Sequence, residues 1–213
     1  MKLTKHEHAC VVFEKDGGTF VIDPGAFSPN AADIISGAEA ILLTHEHFDH
    51  VHADAINAAL AARPELRVYG PAGLAGMFAG HPDQFTAVAA GDELTVAGCP
   101  VSVHGTTHAV IHRDIPTVAN VGYLVDNSVY HPGDAYFVPE ANVVTLLLPT
   151  SGPWMKIGEA ADYVRAVRPE AMVSIHDLLN SDAGRMVAGS FLGEEGLTGL
   201  PLTQVAPGES LTL

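Results

Sequence analysis

The residues best suited to chemistry lie together in Thr44-His45-Glu46-His47-Phe48-Asp49-His50. Imidazole and carboxylate are the ligands that borderline divalent metals prefer. Side chains two apart in an extended or tightly turned segment point the same way, so His45 and His47 can grip one ion. Asp49 and His50 then project elsewhere and can grip a second. Glu46 does not turn the segment into a zinc-protease helix, because the fourth residue after His45 is Asp49 and not histidine.

The elements around this cluster must hold it in place. Ala40–Leu43 is a short apolar run, predicted as a buried strand that leads straight into it. Upstream, Ala9–Glu14 and Thr19–Ile22 flank the turn Asp16-Gly17-Gly18 as a hairpin, and Asp23-Pro24-Gly25 ends the second strand. Downstream, Ala53–Ala62 has Ile56 and Leu60 four apart and is closed by Pro64, which predicts a helix. Arg67–Tyr69 reads as a strand and Ala72–Ala79 as a short helix. Further strands are expected at Leu94–Val96, Val101–His104, Val121–Val125, Val129–Tyr130, Val143–Leu148 and Met172–Ile175. Glu159–Val167 and Asp182–Phe191 read as helices, and a last pair of short strands is expected around Pro207-Gly208. The order suits two sheets flanked by helices in one domain, residues 1–213.

The HxHxDH pattern resembles the signature of the metallo-β-lactamase superfamily, and three later motifs extend the likeness. Thr106-Thr107-His108 matches that family's third histidine, Pro132-Gly133-Asp134 its bridging aspartate, and Ser174-Ile175-His176 its last histidine. Asp23-Pro24-Gly25 resembles its early supporting aspartate. The resemblance implies an α/β (α+β) fold, a four-layer αββα sandwich with a two-metal cleft at the sheet edges. It implies His45, His47 and His108 on one ion, Asp49, His50 and His176 on the other, and Asp134 between them with a shared hydroxide. Asp49 would also orient that hydroxide and take its proton. Two divalent ions are implied, with zinc favoured and manganese or iron also suited to these ligands. The opening His8-Ala9-Cys10 resembles that of the L-ascorbate-6-phosphate lactonase-like branch, which includes many bacterial metal-dependent hydrolases. Departures matter as well. Ala135 replaces the common threonine after the aspartate, and His108-Ala109-Val110 lacks the glyoxalase-II-like continuation.

Three weaker candidates for substrate contact are His8, His112 and Trp154, the only tryptophan. His131 is expected to support the site or the fold, and His6, His52, His81 and His104 take no role. Composition narrows the partners. The chain has 213 residues, 47% hydrophobic and 16% charged, which excludes disorder as its main state. Ten Lys and Arg face 25 Asp and Glu, and the net charge of −15 argues against nucleic acid. No signal-peptide core or spanning apolar stretch is visible, and Cys10 and Cys99 read as buried thiols of a reducing compartment. The expected protein is a cytoplasmic metal-dependent hydrolase, not inserted in a membrane and able to form a homo-oligomer. Its expected substrate is a small metabolite that can be anionic, with a lactone or phosphoester as target. The alternatives are a phosphodiesterase acting on a lipid or nucleotide, a metal-binding sensor without catalysis, and a di-iron redox protein.

Overall fold

A computed structural model describes residues 1–213. Two seven-stranded sheets share one core. The first runs in space β14 (Ser210–Thr212), β1 (Lys2–Lys5), β2 (Val11–Lys15), β3 (Gly18–Ile22), β4 (Ala40–Leu42), β5 (Arg67–Gly70), β6 (Phe85–Ala87). The second runs β13 (Leu202–Thr203), β12 (Ala171–Ile175), β11 (Thr145–Pro149), β10 (Val129–His131), β9 (Gly122–Val125), β8 (Cys99–His104), β7 (Glu93–Val96). The first sheet is antiparallel from β14 to β3 and parallel from β3 to β6; the second is antiparallel from β7 to β10 and parallel from β10 to β13.

The two-residue period of a strand explains the layers. Phe20 and Ile22 of β3 and Leu42 of β4 face the second sheet, meeting Tyr123, Leu147 and Val173 in the central core. Val21 and Ile41 point outward, under α1 (Ala31–Gly37) and α2 (Ala53–Ala62). On the far side, Leu146 and Leu148 lie under α3 (Ile157–Val167), with Leu192 of α4 (Asp182–Leu192) in the same cluster. Strands buried on both faces read as unbroken apolar runs, which is why β4 and β11 stand out in the sequence. The result is the expected αββα sandwich in a single domain.

Some local features add to the expectations. The short helix expected at Ala72–Ala79 is a 3-10 helix, Ala72–Phe78. α1 was not expected, because a seven-residue helix burying only Ala31 and Ile35 carries little periodicity. β1 has a single apolar residue, Leu3, and pairs between β2 and β14. The last two strands do flank Pro207-Gly208, but they join opposite sheets: β13 lies beside β12 and β14 beside β1.

Candidate metal centre

Chain segments leaving β3, β4, β8, β10 and β12 converge at one edge of the sandwich. Asp23, directly after β3, is fully buried with φ +51°. Its carboxylate accepts from the Thr44 backbone N–H at 2.8 Å, the Thr44 hydroxyl at 2.7 Å and His50 Nδ1 at 2.7 Å. The Thr44 hydroxyl in turn accepts from His45 Nδ1 at 3.0 Å. Three donors on one carboxylate fix the start of the HxHxDH turn and aim the Nε2 atoms of His45 and His50 inward. Gly25 makes the fit possible, since a Cβ there would collide with the backbone of Asp49 and His50.

The later candidates are held in the same way. His108 Nδ1 donates to the Ala109 carbonyl at 2.6 Å, and His176 Nδ1 to the Ser151 carbonyl at 2.8 Å. Asp134 follows Gly133, whose φ of +64° and close packing on Asn120 and Thr44 exclude a side chain. Asn120 accepts from the Asp134 N–H at 3.0 Å and donates to the Pro132 carbonyl at 2.9 Å. His131 accepts from the Gly133 N–H and donates to the Ala9 carbonyl, so it braces the turn.

The outer nitrogens of His45, His50, His108 and His176 are therefore satisfied; of the inward atoms, His45 Nε2 meets His47 Nδ1 at 3.1 Å. His50 Nε2, His108 Nε2, His176 Nε2 and Asp134 Oδ1 are buried without a hydrogen bond. The three Nε2 atoms stand 3.0–3.4 Å from oxygens of Asp134, too poorly aligned to bond. Buried polar atoms left unpaired are costly, and several converging on one point form a candidate donor set for a metal ion. His45, His47 and His108 form one group whose ligand atoms lie within 4.8 Å of each other; His8, Asp49, His50 and His176 form another, and His45, His50 and Asp134 a third. All seven positions expected as ligands are brought together.

His8 enters this cluster as an additional member. It is buried, with φ +61°, and its Nε2 lies 3.1 Å from Asp49 Oδ2 while its ring packs 3.7 Å from that of His176. The His8 carbonyl accepts from the His176 N–H at 2.9 Å. The sequence marked His8 as a candidate for substrate contact; its place among the ligands depends on a segment 168 residues away (176 − 8). Trp154 lines the cleft and also donates its indole N–H to Asp134 Oδ2 at 2.8 Å. His112 stands apart: it is exposed, accepts from the Asp114 N–H at 3.2 Å, and does not border the cleft. Asn120 and Ser151 had no sequence signal at all, since they act on backbone atoms of remote segments.

Burial drives the pKa of His45 and His47 below the ordinary imidazole value, which keeps them neutral, as ligands must be. For His50, burial opposes the charged form, but the carboxylates of Asp134 and Asp23 outweigh it and raise its pKa; Asp134 does the same for His176. Burial would raise Asp134 and Asp49 too. The surrounding histidines instead hold both well below the usual carboxylate range.

A family model described as "Beta-lactamase superfamily domain" matches residues 2–176. The chain belongs to the metallo-β-lactamase superfamily. Protein Rv0786c of Mycobacterium tuberculosis is 40% identical to it, over 99% of this chain and 98% of that one. UPF0173 protein PF0020 of Pyrococcus furiosus is 30% identical over 83% of each chain, which makes this chain a member of the UPF0173 family. A UPF0173 metal-dependent hydrolase of Caldivirga maquilingensis is 28% identical over 79% of this chain and 78% of its own. Among solved structures, Igni18, a metallo hydrolase from Ignicoccus hospitalis, superposes with TM-score 0.75 at 21% identity, covering 100% of this chain and 97% of that one. That superposition bears on the fold of this superfamily member.

Proposed function

We propose that this chain is a metal-dependent hydrolase of small molecules that works with two divalent ions, zinc foremost. The observation that carries this is the set of four buried, unpartnered inward atoms on His50, His108, His176 and Asp134. His45, His47 and His108 would hold one ion and Asp49, His50 and His176 the other, with Asp134 between them. Such ions, when bound, supply Lewis acidity and a more acidic water. The name of the Caldivirga relative supports the same class.

The chain's own residues divide the remaining work. Asp49 and Asp134 both border the cleft, and Asp49 is the more exposed; its Oδ2 is held by His8, so Oδ1 remains to accept a proton from an attacking water. Asp134 is buried and held by Trp154, so its task is positional. The bond cleaved is a carbonyl ester, lactone among them, or a phosphoester. The His8-Ala9-Cys10 opening supports placement in the lactonase-like branch. The test is elemental analysis of the chain purified with zinc, together with turnover on a lactone panel and a chromogenic phosphodiester panel. Two ions per chain and hydrolysis in one panel are expected; filled sites with no hydrolysis in either would overturn the reading.

A further inference from the structure

The cleft beside the candidate ligands has two kinds of lining. Besides the histidines and aspartates it is bordered by Phe27, Phe48, Ile111, Pro153, Trp154 and Leu179. They come from five separate segments, yet all six are apolar or aromatic. The cavity measures about 320 Å³, the small end of the range for ligand pockets. No lysine or arginine borders it. At its mouth, Phe48 is 64% exposed and Leu179 58% exposed. Phe48 stands edge-on to Phe27 with ring centres 5.3 Å apart. Large apolar side chains gathered at one opening mark a surface that an apolar partner covers.

The missing cations matter as much. A phosphomonoester or nucleotide carries peripheral oxygens that arginine or lysine ordinarily meets with charge-assisted hydrogen bonds. Beyond the two proposed ions, this cleft offers no cationic side chain to those outer oxygens. A neutral group loses nothing by that absence.

We propose that the substrate is a neutral ester or lactone whose apolar acyl arm lies against Phe27, Phe48, Trp154 and Leu179. This rests on the hydrolase reading above and narrows its target from a carbonyl or phosphoester to a carbonyl. In the reaction a water oxygen bonds to the acyl carbon and the acyl C–O bond breaks. One water proton ends on the leaving alcohol oxygen, giving one carboxylic acid and one alcohol.

Two measurements test it on the full chain. The zinc-loaded protein is assayed with p-nitrophenyl acetate and hexanoate, p-nitrophenyl phosphate and bis(p-nitrophenyl) phosphate. We expect kcat/KM to rise at least tenfold from acetate to hexanoate, and both phosphates to fall at least a hundredfold below hexanoate. The double variant Phe48→Ser, Leu179→Ser should flatten the chain-length slope. Separately, Trp154 is the only tryptophan, so its fluorescence reports occupancy of the cleft with or without metal. Hexanamide should bind at least tenfold tighter than acetamide or inorganic phosphate. Ester turnover with no chain-length slope, or a preference for either phosphate, overturns the inference and leaves the hydrolase reading standing. Tight hexanamide binding without turnover of any compound upholds the apolar ligand and overturns the hydrolase reading. Equal binding of hexanamide, acetamide and phosphate overturns the inference whatever the turnover.

Discussion

Asp134 Oδ2 accepts the indole N–H of Trp154 at 2.8 Å, while Oδ1 is buried without a partner. Both oxygens face histidines, Oδ1 at 3.2 Å from His50 and Oδ2 at 3.0 Å from His176, so Trp154 fixes the angle at which the carboxylate meets them. Replacing it by phenylalanine keeps an aromatic wall and removes the donor. Groups that orient a ligand in this way change metal affinity by about 10–100-fold when lost. Trp154→Phe should therefore bind zinc about that much more weakly, measured by competition with a chelating dye. An unchanged affinity would reduce Trp154 to a cleft wall. The sequence showed this residue only as a lone tryptophan after a strand. Its tie to Asp134 spans 20 positions and two loops, and no local pattern encodes it.

β1 and the turn after β12 belong to different sheets, yet a buried ion pair joins them. Lys5 Nζ lies 3.0 Å from Asp177 Oδ1, with both side chains nearly inaccessible, next to His8 and His176. Removing one partner of such a pair costs about 3–5 kcal/mol where the other charge is left alone. Asp177 keeps Arg185 at 3.6 Å from its Oδ2, so Lys5→Met should lose about 3 kcal/mol or less in urea titration. The double variant Lys5→Met, Asp177→Leu should lose less than the single one, because it leaves no buried charge behind. Equal losses would mean that the pair itself stabilises the junction. Elements with strong patterns were legible from the sequence, β4 and β11 by apolar runs and α2 by Ile56 and Leu60. β1 was not, because two of its four residues are lysines and the burial of Lys5 depends on an aspartate 172 positions away. The candidate ligands were legible for the opposite reason. Each sits at the end of a readable strand and is of a chemical type that stands out, whereas His8 needed the fold to bring it near Asp49.

At the scale of the whole molecule, the candidate centre gathers residues from both sheets, so ion binding ties the two halves together. Binding to the native state alone contributes about 2.7 kcal/mol at a hundredfold excess over Kd. For a domain of this size that is roughly 5–11 °C in Tm for each ion. Chelation followed by calorimetry should show a fall of that order; an unchanged melting curve after verified metal removal would refute the tie. The metal-free chain should also have its own pH window. The raised pKa values of His50 and His176 give stability that is complete below the ordinary imidazole value and lost as pH climbs through the raised ones. The lowered values of Asp49 and Asp134 give stability that is present above the ordinary carboxylate range and lost in acid. Zinc uptake near neutral pH should accordingly release protons from His50 and His176, measurable by titration calorimetry in buffers of different ionisation enthalpy. Uptake without proton release would contradict the charged state of that pair.

The pairing of Leu3 with Leu211 has a consequence for synthesis. A ribosome adding about 5–20 residues per second takes roughly 10–40 s to travel between them. Throughout that interval the outer edge of the first sheet has no neighbour, and an open edge is a template for another copy of the chain. Lysines are poor templates, and the four-residue β1 has one at each end. Lys5 thus guards the edge of a nascent chain first, and only after Asp177 has emerged does the same ammonium become an internal fastener.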